Sequence, residues 1–523
     1  MLRKVNSVVS CQLSVVRRSI FLCILSAGLL ILSFPKFNLE FLAWVGFVPL
    51  FFALKNKSKA KAFLLAYLTG LIFWSGIIYW LVHVTLPGTA LLILYLALYF
   101  GAFGLIISTI DPLLIASAWV LLEYVRAHLF TGFPWALLGY SQYLNLPVIQ
   151  IADVTGVYGV SFLVMMVNVA IKEVLGVRFW VLGKKEQKRK LWIISPAVLC
   201  FIFAITYGYY KLNQTPNTKH QTPIKISVIQ GNVPQHLKWD VGSRDFIIDK
   251  YLTLTKQVLK EKPDLIIWPE AALPVVLEEE PRFFERVKDF VCESKTPLLL
   301  GAVTLRDNLY YNSALLVSSQ GETLAKYDKL HLVPFGEYIP LRRILRFLET
   351  VVPIGDFSRG KEFTIFSLTP NTYNLRPNFS VLICFEDLFP ELSRQFVRKG
   401  AQFLVNITND AWFGKTSSPF QHLQASVFRA VENRVSLLRS ANTGVSGFIA
   451  PSGKIISLIQ DNRGENIFID GYKTQEIIIP KRLLSFYTRY GDVFIVACFL
   501  FLLLYSIICN LKTQSATAGT TQN

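Results

Sequence analysis

The chain has 523 residues, of which 52% are hydrophobic, and a mean hydropathy of +0.42, which argues against an entirely soluble protein. Its formal charge of +18 would suit a nucleic-acid-binding protein, but the positive charges cluster between hydrophobic segments, and no RNA-binding signature or zinc-spaced Cys and His set is present. Apolar residues crowd into the first 210 positions and a short stretch near the end. This pattern indicates a membrane part, a water-facing part and a final anchor.

Eight hydrophobic segments are predicted to cross the membrane as helices, for which about 20 apolar residues are needed, or fewer where flanking residues snorkel. In chain order these segments are 19–34, 39–54, 62–82, 90–110, 112–125, 158–171, 191–209 and 493–508. The first seven form the membrane domain at 1–210, and the last belongs to a C-terminal part at 481–523. A polar linker at 211–222 leads out of the seventh segment.

The basic residues of the loops predict the orientation of these spans. They are concentrated before the first span, between the second and third, between the sixth and seventh, and after the eighth, whereas the alternate short loops carry almost none. Short loops rich in Lys and Arg face the cytoplasm. We therefore expect a bacterial inner-membrane protein with both termini in the cytoplasm and the large segment before the last span in the periplasm.

Two features of the membrane part have more than one interpretation. The outside segment at 126–157 contains Trp135 and Tyr140, which suits either an interfacial element at headgroup depth or a loop packed on the bundle. Glu123 lies inside an apolar run, where a carboxylate can mark a functional site. Because it lies near a predicted helix end, a snorkelling or paired structural carboxylate is the better interpretation.

The water-facing part at 223–480 alternates short β-rich runs with amphipathic helical stretches. Strands are predicted at 224–230, 265–268, 297–303, 312–318, 381–383 and 403–407, and helices at 246–259 and 425–432. Strands and helices that alternate in this way are typical of an α/β domain with a covered sheet.

Three positions in this domain place reactive side chains at the ends of predicted elements. Glu270 follows the strand at 265–268, Lys329 lies in a charged loop at 326–337, and Cys384 follows the strand at 381–383. Taken alone, Glu270 suits a surface or cap residue, Lys329 a solvated side chain and Cys384 a core residue. A thiol at a strand-to-helix corner would be exposed and close to helix-terminal N–H groups, so we expect a lowered pKa for Cys384.

Together the three positions resemble the nitrilase, or carbon–nitrogen hydrolase, superfamily over residues 224–472. That superfamily uses a Glu-Lys-Cys triad in this chain order on an α-β-β-α sandwich. The resemblance implies that Glu270 is the general base, Lys329 the electrostatic support and Cys384 the nucleophile. In chemical terms, Cys attacks a carbonyl to form a thioester, Glu moves the proton, and a cation with a backbone N–H stabilises the oxyanion.

Several motifs narrow the resemblance to the apolipoprotein N-acyltransferase family. They are QGNVPQ at 230–235, KWD at 238–240, HLVPFGEYIP at 331–340, NITNDAWFG at 406–414 and RSANTG at 439–444. The match implies that Glu337 shapes the site, Trp239 lies on a mobile loop near the substrate, and Glu386 supports the nucleophile corner. Phe385 stands where some relatives have Tyr. The aromatic residues Trp412 and Phe335 could line an acyl path, although domain core or bundle contact explains either one as well.

The family resemblance implies a phospholipid as acyl donor and an apolipoprotein as acceptor, with no metal or organic cofactor and no nucleic acid. In that family the acyl chain passes through the Cys to the α-amine of a lipid-modified N-terminal Cys. Three alternatives remain open: a membrane-tethered amidase acting on small amides, a non-catalytic binding domain on a transporter-like bundle, and an acyltransferase with a different acceptor, such as a small secreted amine. Eight spans argue against the first, since one would anchor an amidase, and the complete triad argues against the second.

Overall fold

The computed structural model describes residues 2–176, 184–214, 223–334, 336–338, 357–368, 377–479 and 484–520. It divides into two compact units. The helical unit comprises Met1–Tyr79, Leu86–Tyr210 and Asp492–Asn523, and the α/β unit comprises Trp80–Thr85 and Lys211–Gly491. Phe335, one of the predicted substrate-contacting residues, lies outside the described residues.

Long apolar helices dominate the helical unit, and shorter amphipathic helices occur in the α/β unit. The helices are α1 (Leu2–Leu32), α2 (Val48–Leu54), α3 (Lys59–Ile77), α4 (Leu86–Ile107), α5 (Ile115–His128), α6 (Leu146–Ile149), α7 (Ala152–Leu175), α8 (Lys184–Asn213), α9 (Arg244–Val258), α10 (Pro281–Ser294), α11 (Pro390–Lys399), α12 (Ser418–Asn433), α13 (Phe486–Tyr490) and α14 (Val493–Thr520).

Four helical segments within the described part of the chain are long and apolar enough to cross a membrane: α3, α4, α7 and the Lys190–Asn213 part of α8. Shorter apolar helical segments cover Glu40–Leu54 and Val493–Ile508. The structure therefore supports a multi-pass helical part at this coarser level, and the count of eight spans stays a prediction.

The span predicted at 39–54 is not one continuous helix. A 3-10 turn covers Glu40–Trp44, and α2 begins afresh at Val48. Pro49 lies in the first turn of α2, where the missing N–H of proline has no cost and its fixed φ favours a helix start. The start of α2 therefore lies inside the apolar run at 39–54, and the composition of that run gave no sign of a boundary.

Close backbone approach holds α3 against α4. A Cβ added to Gly104 would lie 2.6 Å from the carbonyl oxygen of Ala62, so only glycine permits this approach. Small residues at such crossings let apolar helices gain van der Waals contact in the absence of a strong hydrophobic drive.

The segment at 126–157, which contains α6 and reaches from the end of α5 to the start of α7, is packed within the helical unit, which decides between the two interpretations of its aromatic residues. Trp135 and Tyr140 are buried. Arg126 donates from Nη1 to the carbonyl oxygens of Phe133 and Trp135 at 2.7 and 2.8 Å. Glu123 is buried as well, and its Oε1 accepts from the backbone N–H of Leu138 at 2.7 Å. A paired structural carboxylate is the interpretation that fits Glu123.

Twelve strands form two six-stranded sheets in the described part of the α/β unit. The strands are β1 (Pro223–Gln230), β2 (Leu265–Ile267), β3 (Leu298–Arg306), β4 (Leu309–Val317), β5 (Thr323–Asp328), β6 (Phe366–Ser367), β7 (Asn378–Ile383), β8 (Phe403–Thr408), β9 (Ser436–Ala441), β10 (Gly447–Ile449), β11 (Ile455–Leu458) and β12 (Gly471–Ile478). Their orders are β12-β1-β2-β3-β4-β5 and β11-β10-β9-β8-β7-β6.

The two sheets pack face to face between helices, in the α-β-β-α arrangement predicted for this domain. Ser440 of β9 donates its hydroxyl to the carbonyl oxygens of Ile229 and Ile267 in the first sheet, at 2.8 and 3.2 Å. Helix α9 covers the first sheet and α12 covers the second. Helix α9 begins two residues before the predicted 246–259 and ends one residue short of it, whereas α12 begins seven residues before the predicted 425–432 and ends one residue after it.

Parallel pairing sets the place of the candidate site. In the first sheet β1 and β2 run parallel, and in the second β7, β8 and β9 do. Parallel strands have their carboxyl ends at one edge, where α/β folds bind ligands. Glu270 follows β2, Cys384 follows β7 and Asp410 follows β8, so the chain places these side chains just beyond the carboxyl ends of its parallel strands.

Candidate active site

Cys384 lies at a sharp bend between β7 and the 3-10 turn Cys384–Leu388. Its φ is 53°, in the left-handed region. A non-glycine residue held in such a sparsely populated region costs about 1–3 kcal/mol and persists where the surroundings fix it. The side chain is half-buried. The bend turns the chain at the sheet edge, as the elbow predicted from the sequence requires.

The predicted lowering of the Cys384 pKa is wrong. Burial raises the pKa of this thiol well above its ordinary value, and the Glu270 carboxylate raises it further, while Lys329 lowers it only in part. Charge repulsion and desolvation therefore outweigh any benefit from the N–H groups of the following turn. At neutral pH the thiol keeps its proton, so attack by sulfur needs a base that removes this proton.

Glu270 is a carboxylate that is 7% exposed, three residues beyond the end of β2. Its Oε1 accepts from Asn312 Nδ2 at 2.7 Å and lies 3.7 Å from Lys329 Nζ. Gly301 on β3 lets the backbone at Glu270 pack close to this strand, because a Cβ at position 301 would lie 2.7 Å from the Cα of Glu270. The local backbone and two side-chain partners thus hold the carboxylate in place.

Lys329 lies directly after β5 and is 1% exposed. Its Nζ donates to Glu337 Oε1 at 2.9 Å and lies 3.7 Å from Glu270 Oε1. Burial alone would lower the pKa of Lys329, but Glu337 and Glu270 outweigh it and raise the pKa above its ordinary value. Lys329 therefore stays an ammonium ion, and it serves as a fixed positive charge rather than as a proton carrier.

Asn312, in β4, joins the two carboxylates and was not predicted as a site residue. Its Nδ2 donates to Glu270 Oε1 at 2.7 Å and to Glu337 Oε1 at 2.9 Å. Glu337 also accepts from the backbone N–H of Val333 at 2.8 Å, through Oε2. The signal available in the sequence was an amide side chain at the start of a predicted buried strand, where a polar group needs hydrogen-bond partners.

Glu386 fastens the nucleophile turn to the loop that begins at Lys329. Its buried carboxylate accepts from the backbone N–H groups of Ile383, Leu330 and His331 at 2.6–2.9 Å, and from the Tyr327 hydroxyl at 2.8 Å. Burial raises the pKa of Glu386 to about 7, although these donors and Lys329 lower it in part. The geometry agrees with a supporting position two residues after Cys384.

A buried ionic network lies beneath the nucleophile turn, and the sequence did not reveal it. His422 Nε2 lies 2.7 Å from Asp387 Oδ1 and 3.1 Å from the carbonyl oxygen of Cys384, and its Nδ1 lies 3.2 Å from Asp410 Oδ1. Arg439 Nη1 donates to Asp387 Oδ2 at 2.9 Å. His422 and Arg439 are 35 and 52 positions from Asp387 in the sequence, so only folding brings them together.

The pKa of His422 is raised to about 9. Burial would lower the pKa, but Asp387 outweighs it by stabilising the imidazolium. The pKa of Asp387 is lowered despite its burial, because His422 and Arg439 favour the carboxylate. The turn that bears Cys384 therefore rests on paired charges.

The remaining predicted residues lie around this centre. Phe385 is half-buried, with its ring centroid 5.3 Å from that of Phe389. Trp239 is half-buried, between β1 and α9. Trp412 is 42% exposed, in the 3-10 turn Asp410–Phe413 that follows β8. The predicted contact of Trp239 and Trp412 with substrate stays a hypothesis.

The described residues contain no group of three or more His, Cys, Asp or Glu side chains arranged to hold a metal ion. The side chains present can instead supply a nucleophile, a base and a fixed cation. Such a set suits attack on a carbonyl with formation of a covalent intermediate.

Comparison with known proteins extends over nearly the whole chain. Family models match residues 26–170, as an apolipoprotein N-acyltransferase N-terminal domain, and residues 225–472, as a carbon-nitrogen hydrolase. The apolipoprotein N-acyltransferase of Geobacter metallireducens is 39% identical over 508 residues, which cover 92% of this chain and 93% of the relative. That of Haemophilus influenzae is 31% identical over 519 residues, covering 94% and 96%.

Among solved structures, an amidase from Nesterenkonia sp. is similar to the α/β part. It is 19% identical with a TM-score of 0.38, and the match covers 51% of this chain and 92% of the amidase.

Proposed function

This chain belongs to the apolipoprotein N-acyltransferase family, and we propose that Cys384, Glu270 and Lys329 carry out its acyl transfer through a thioester on Cys384. The protein is an N-acyltransferase of lipoprotein maturation. Its apolar helices and its relatives indicate an inner-membrane protein. The residue roles, the two substrates and the orientation in the membrane are proposals.

In the first step Glu270 takes the thiol proton of Cys384, and the sulfur attacks an ester carbonyl of a phospholipid. Lys329 and the backbone N–H of Phe385 stabilise the tetrahedral oxyanion. When the carbon–oxygen bond breaks, Glu270 returns the proton to the departing lysophospholipid hydroxyl. The products are a Cys384 thioester and an alcohol, and Glu270 is again a carboxylate.

In the second step the neutral α-amine of a lipid-modified N-terminal Cys attacks the thioester carbonyl. Glu270 accepts a proton from the attacking nitrogen and passes it to sulfur as the carbon–sulfur bond breaks. The products are an N-acylated apolipoprotein and the free thiol of Cys384. Each step starts and ends with Glu270 ionised and Lys329 protonated, so the site is ready for the next turnover.

The membrane part gives both lipids a route that does not pass through water. Drawing an acyl chain out of apolar surroundings costs about 0.8 kcal/mol per CH₂. We propose eight spans, with a membrane domain at 1–210, a linker at 211–222, the catalytic domain at 223–480 in the periplasm, and the last span with both termini on the cytoplasmic side. The clusters of basic residues in alternate loops support this orientation.

The observation that carries the proposal is the pairing of Glu270 with Lys329, whose Nζ lies 3.7 Å from Glu270 Oε1. Asn312 holds Glu270 and Glu337 together. The charges of Glu270 and Lys329 both act on the thiol of Cys384. A transfer assay tests the proposed substrates. Purified enzyme, phospholipid and a diacylglyceryl-Cys peptide should give a peptide heavier by one acyl chain. The same peptide with an acetylated N-terminus should remain unchanged, and hydrolysis of small amides without acylation of either peptide would instead favour an amidase.

A further inference from the structure

A second lysine is buried beside the general base. Lys238 is 2% exposed, in the turn that follows β1, and its Nζ donates to the backbone carbonyl oxygen of Glu270 at 2.8 Å. Within the described ranges no carboxylate oxygen lies within 4.0 Å of this ammonium. Lysines this deeply buried are almost always paired with an acid, because an uncompensated buried charge is costly.

The segment that carries Lys238 is held to the loops around the site. Asn442 accepts from the backbone N–H of Val233 at 2.9 Å and donates from Nδ2 to the Val233 carbonyl oxygen at 2.8 Å. Asn409 Nδ2 donates to Gln235 Oε1 at 2.8 Å. These contacts fix the start of the turn that carries Lys238. A hydrogen bond to one carbonyl needs only a neutral donor, so the bond alone does not explain a charged side chain here.

Charge balance supplies the explanation. Lys329 faces two carboxylates of the site, Glu270 and Glu337. When Glu270 takes the thiol proton, its charge is lost, but Lys329 remains bound to Glu337 at 2.9 Å. The negative charge that then develops at Cys384 acts on a second cation, Lys238, which is not paired with a carboxylate among the described residues.

We propose that Lys238 is a second active-site cation that stabilises negative charge at Cys384, both on sulfur and on the tetrahedral oxyanion. The inference rests on the proposed function of Cys384 and Glu270. No proton moves to or from Lys238 during turnover; the ammonium acts through its charge and through its bond to the Glu270 backbone.

The electrostatics of the site agree with this geometry. Burial lowers the pKa of Lys238 to about 8, and the negative charges of Glu270 and Cys384 raise it in part. Below pH 8 the ammonium form predominates, and above it the cation is progressively lost. Activity that depends on this charge should therefore decline above about pH 8, whereas a guanidinium at the same position stays charged.

The test measures the rate at which iodoacetamide alkylates Cys384 between pH 6 and pH 10, in full-length protein in detergent micelles, by mass spectrometry of the Cys384 peptide. The variants are Lys238→Gln, which keeps a donor without the charge, Lys238→Met, which removes both, and Lys238→Arg, which keeps the charge. Lys225→Gln is the matched control, because Lys225 Nζ donates to the backbone carbonyl of Glu261 at 3.3 Å, near the opposite end of β1.

We expect alkylation at pH 7 to be roughly tenfold slower in Lys238→Gln and Lys238→Met, as loss of a nearby opposite charge predicts, and we expect this difference from the wild type to shrink as the pH rises above about 8 and Lys238 loses its own charge. At pH 7, Lys238→Arg and Lys225→Gln should resemble the wild type. An unchanged alkylation rate at pH 7 in a folded Lys238→Gln would overturn the inference. Because alkylation needs no lipid, absence of acyl transfer by the wild type with a normal alkylation profile would count against the proposed function instead.

Discussion

At the scale of single residues, the state of the Cys384 thiol decides the chemistry. A thiol whose pKa is raised by burial and by Glu270 is not a ready-made thiolate, so the neighbouring carboxylate has to act in the same step as the attack. Lys329 is already committed to Glu337 and Glu270. The site therefore separates a proton carrier from a fixed cation.

Glu270→Gln tests the proton carrier. Gln keeps an oxygen for the Asn312 bond but cannot accept the thiol proton, so acyl-enzyme formation should slow by about 10²–10⁴-fold. The measurement is single-turnover release of lysophospholipid, with Glu285→Gln on the exposed face of α10 as the control. A Glu270→Gln rate within a few-fold of the wild type would assign the base to another group.

Asn312→Ala tests the amide that links the two carboxylates. Loss of its charge-assisted hydrogen bonds, at roughly 1.5–3 kcal/mol, should slow acyl-enzyme formation about 10–100-fold while the protein stays folded. Asn378→Ala is a matched control, because Asn378 begins β7 and Cys384 follows the strand's other end. Equal rates in the two variants would mean that Asn312 does not position Glu270.

Motifs allowed Glu270, Lys329 and Cys384 to be proposed as site residues, because each follows a recognisable strand or lies in a distinctive loop. Asn312 and Lys238 were not singled out, since their meaning depends on contacts across 32 to 42 positions of chain. The direction of the Cys384 pKa could not be obtained either. It depends on burial and on the distance to Glu270, which are properties of the folded chain.

At the scale of elements, buried charges fix the turn after β7 on two sides. Glu386 holds it to the backbone at Leu330 and His331, and His422 of α12 holds it through Asp387. Local periodicity predicted β7, β8 and α12 as elements but could not predict this network. Like the break at Pro49 in the second apolar segment, the network depends on packing rather than on local propensity.

His422 predicts a dependence of stability on pH. Because its folded pKa is raised from 6.5 to about 9, the imidazolium stabilises the fold below pH 6.5, and this contribution is lost as the pH rises through 9. The shift corresponds to stabilisation on the order of 3 kcal/mol. The melting temperature, followed by tryptophan fluorescence in detergent, should fall from pH 6.5 to 9.5 more steeply in the wild type than in His422→Gln.

Exposed His236 supplies the control for this experiment. His236→Gln should keep the wild-type dependence of melting temperature on pH. If His422→Gln shows the same dependence, the network does not rely on a charged imidazole, and the pairing with Asp387 is that of a neutral ring.

At the scale of the whole molecule, the sequence predicted a helical membrane part and an α-β-β-α domain, and the described structure has both kinds of element. Apolar length predicted α3 and α4 well because each is a continuous helix, whereas α7 is interrupted at Gly156, whose φ of 64° is not helical. The number of spans was less accessible, since apolar runs such as 39–54 contain turns. The environment of the segment at 126–157 was ambiguous in the sequence, because its aromatic residues suit burial in the protein and the membrane interface equally.

The proposed orientation predicts which thiols are reachable from outside. Cys292 in α10 is an exposed free thiol, so a membrane-impermeant maleimide should label it in intact spheroplasts. Cys292→Ser identifies this signal by its loss. In that background, a cysteine replacing exposed Lys188 should react only after the membrane is permeabilised. Labelling of the Lys188→Cys position in sealed spheroplasts would contradict the topology.

The thioester on Cys384 is the central claim, and intact-protein mass spectrometry after incubation with phospholipid tests it most directly. The wild type should gain the mass of one acyl chain, hydroxylamine should remove it, and Cys384→Ala should gain none. A folded wild-type protein that acquires no adduct in the presence of lipid, or a Cys384→Ala variant that acquires the same one, would contradict the account.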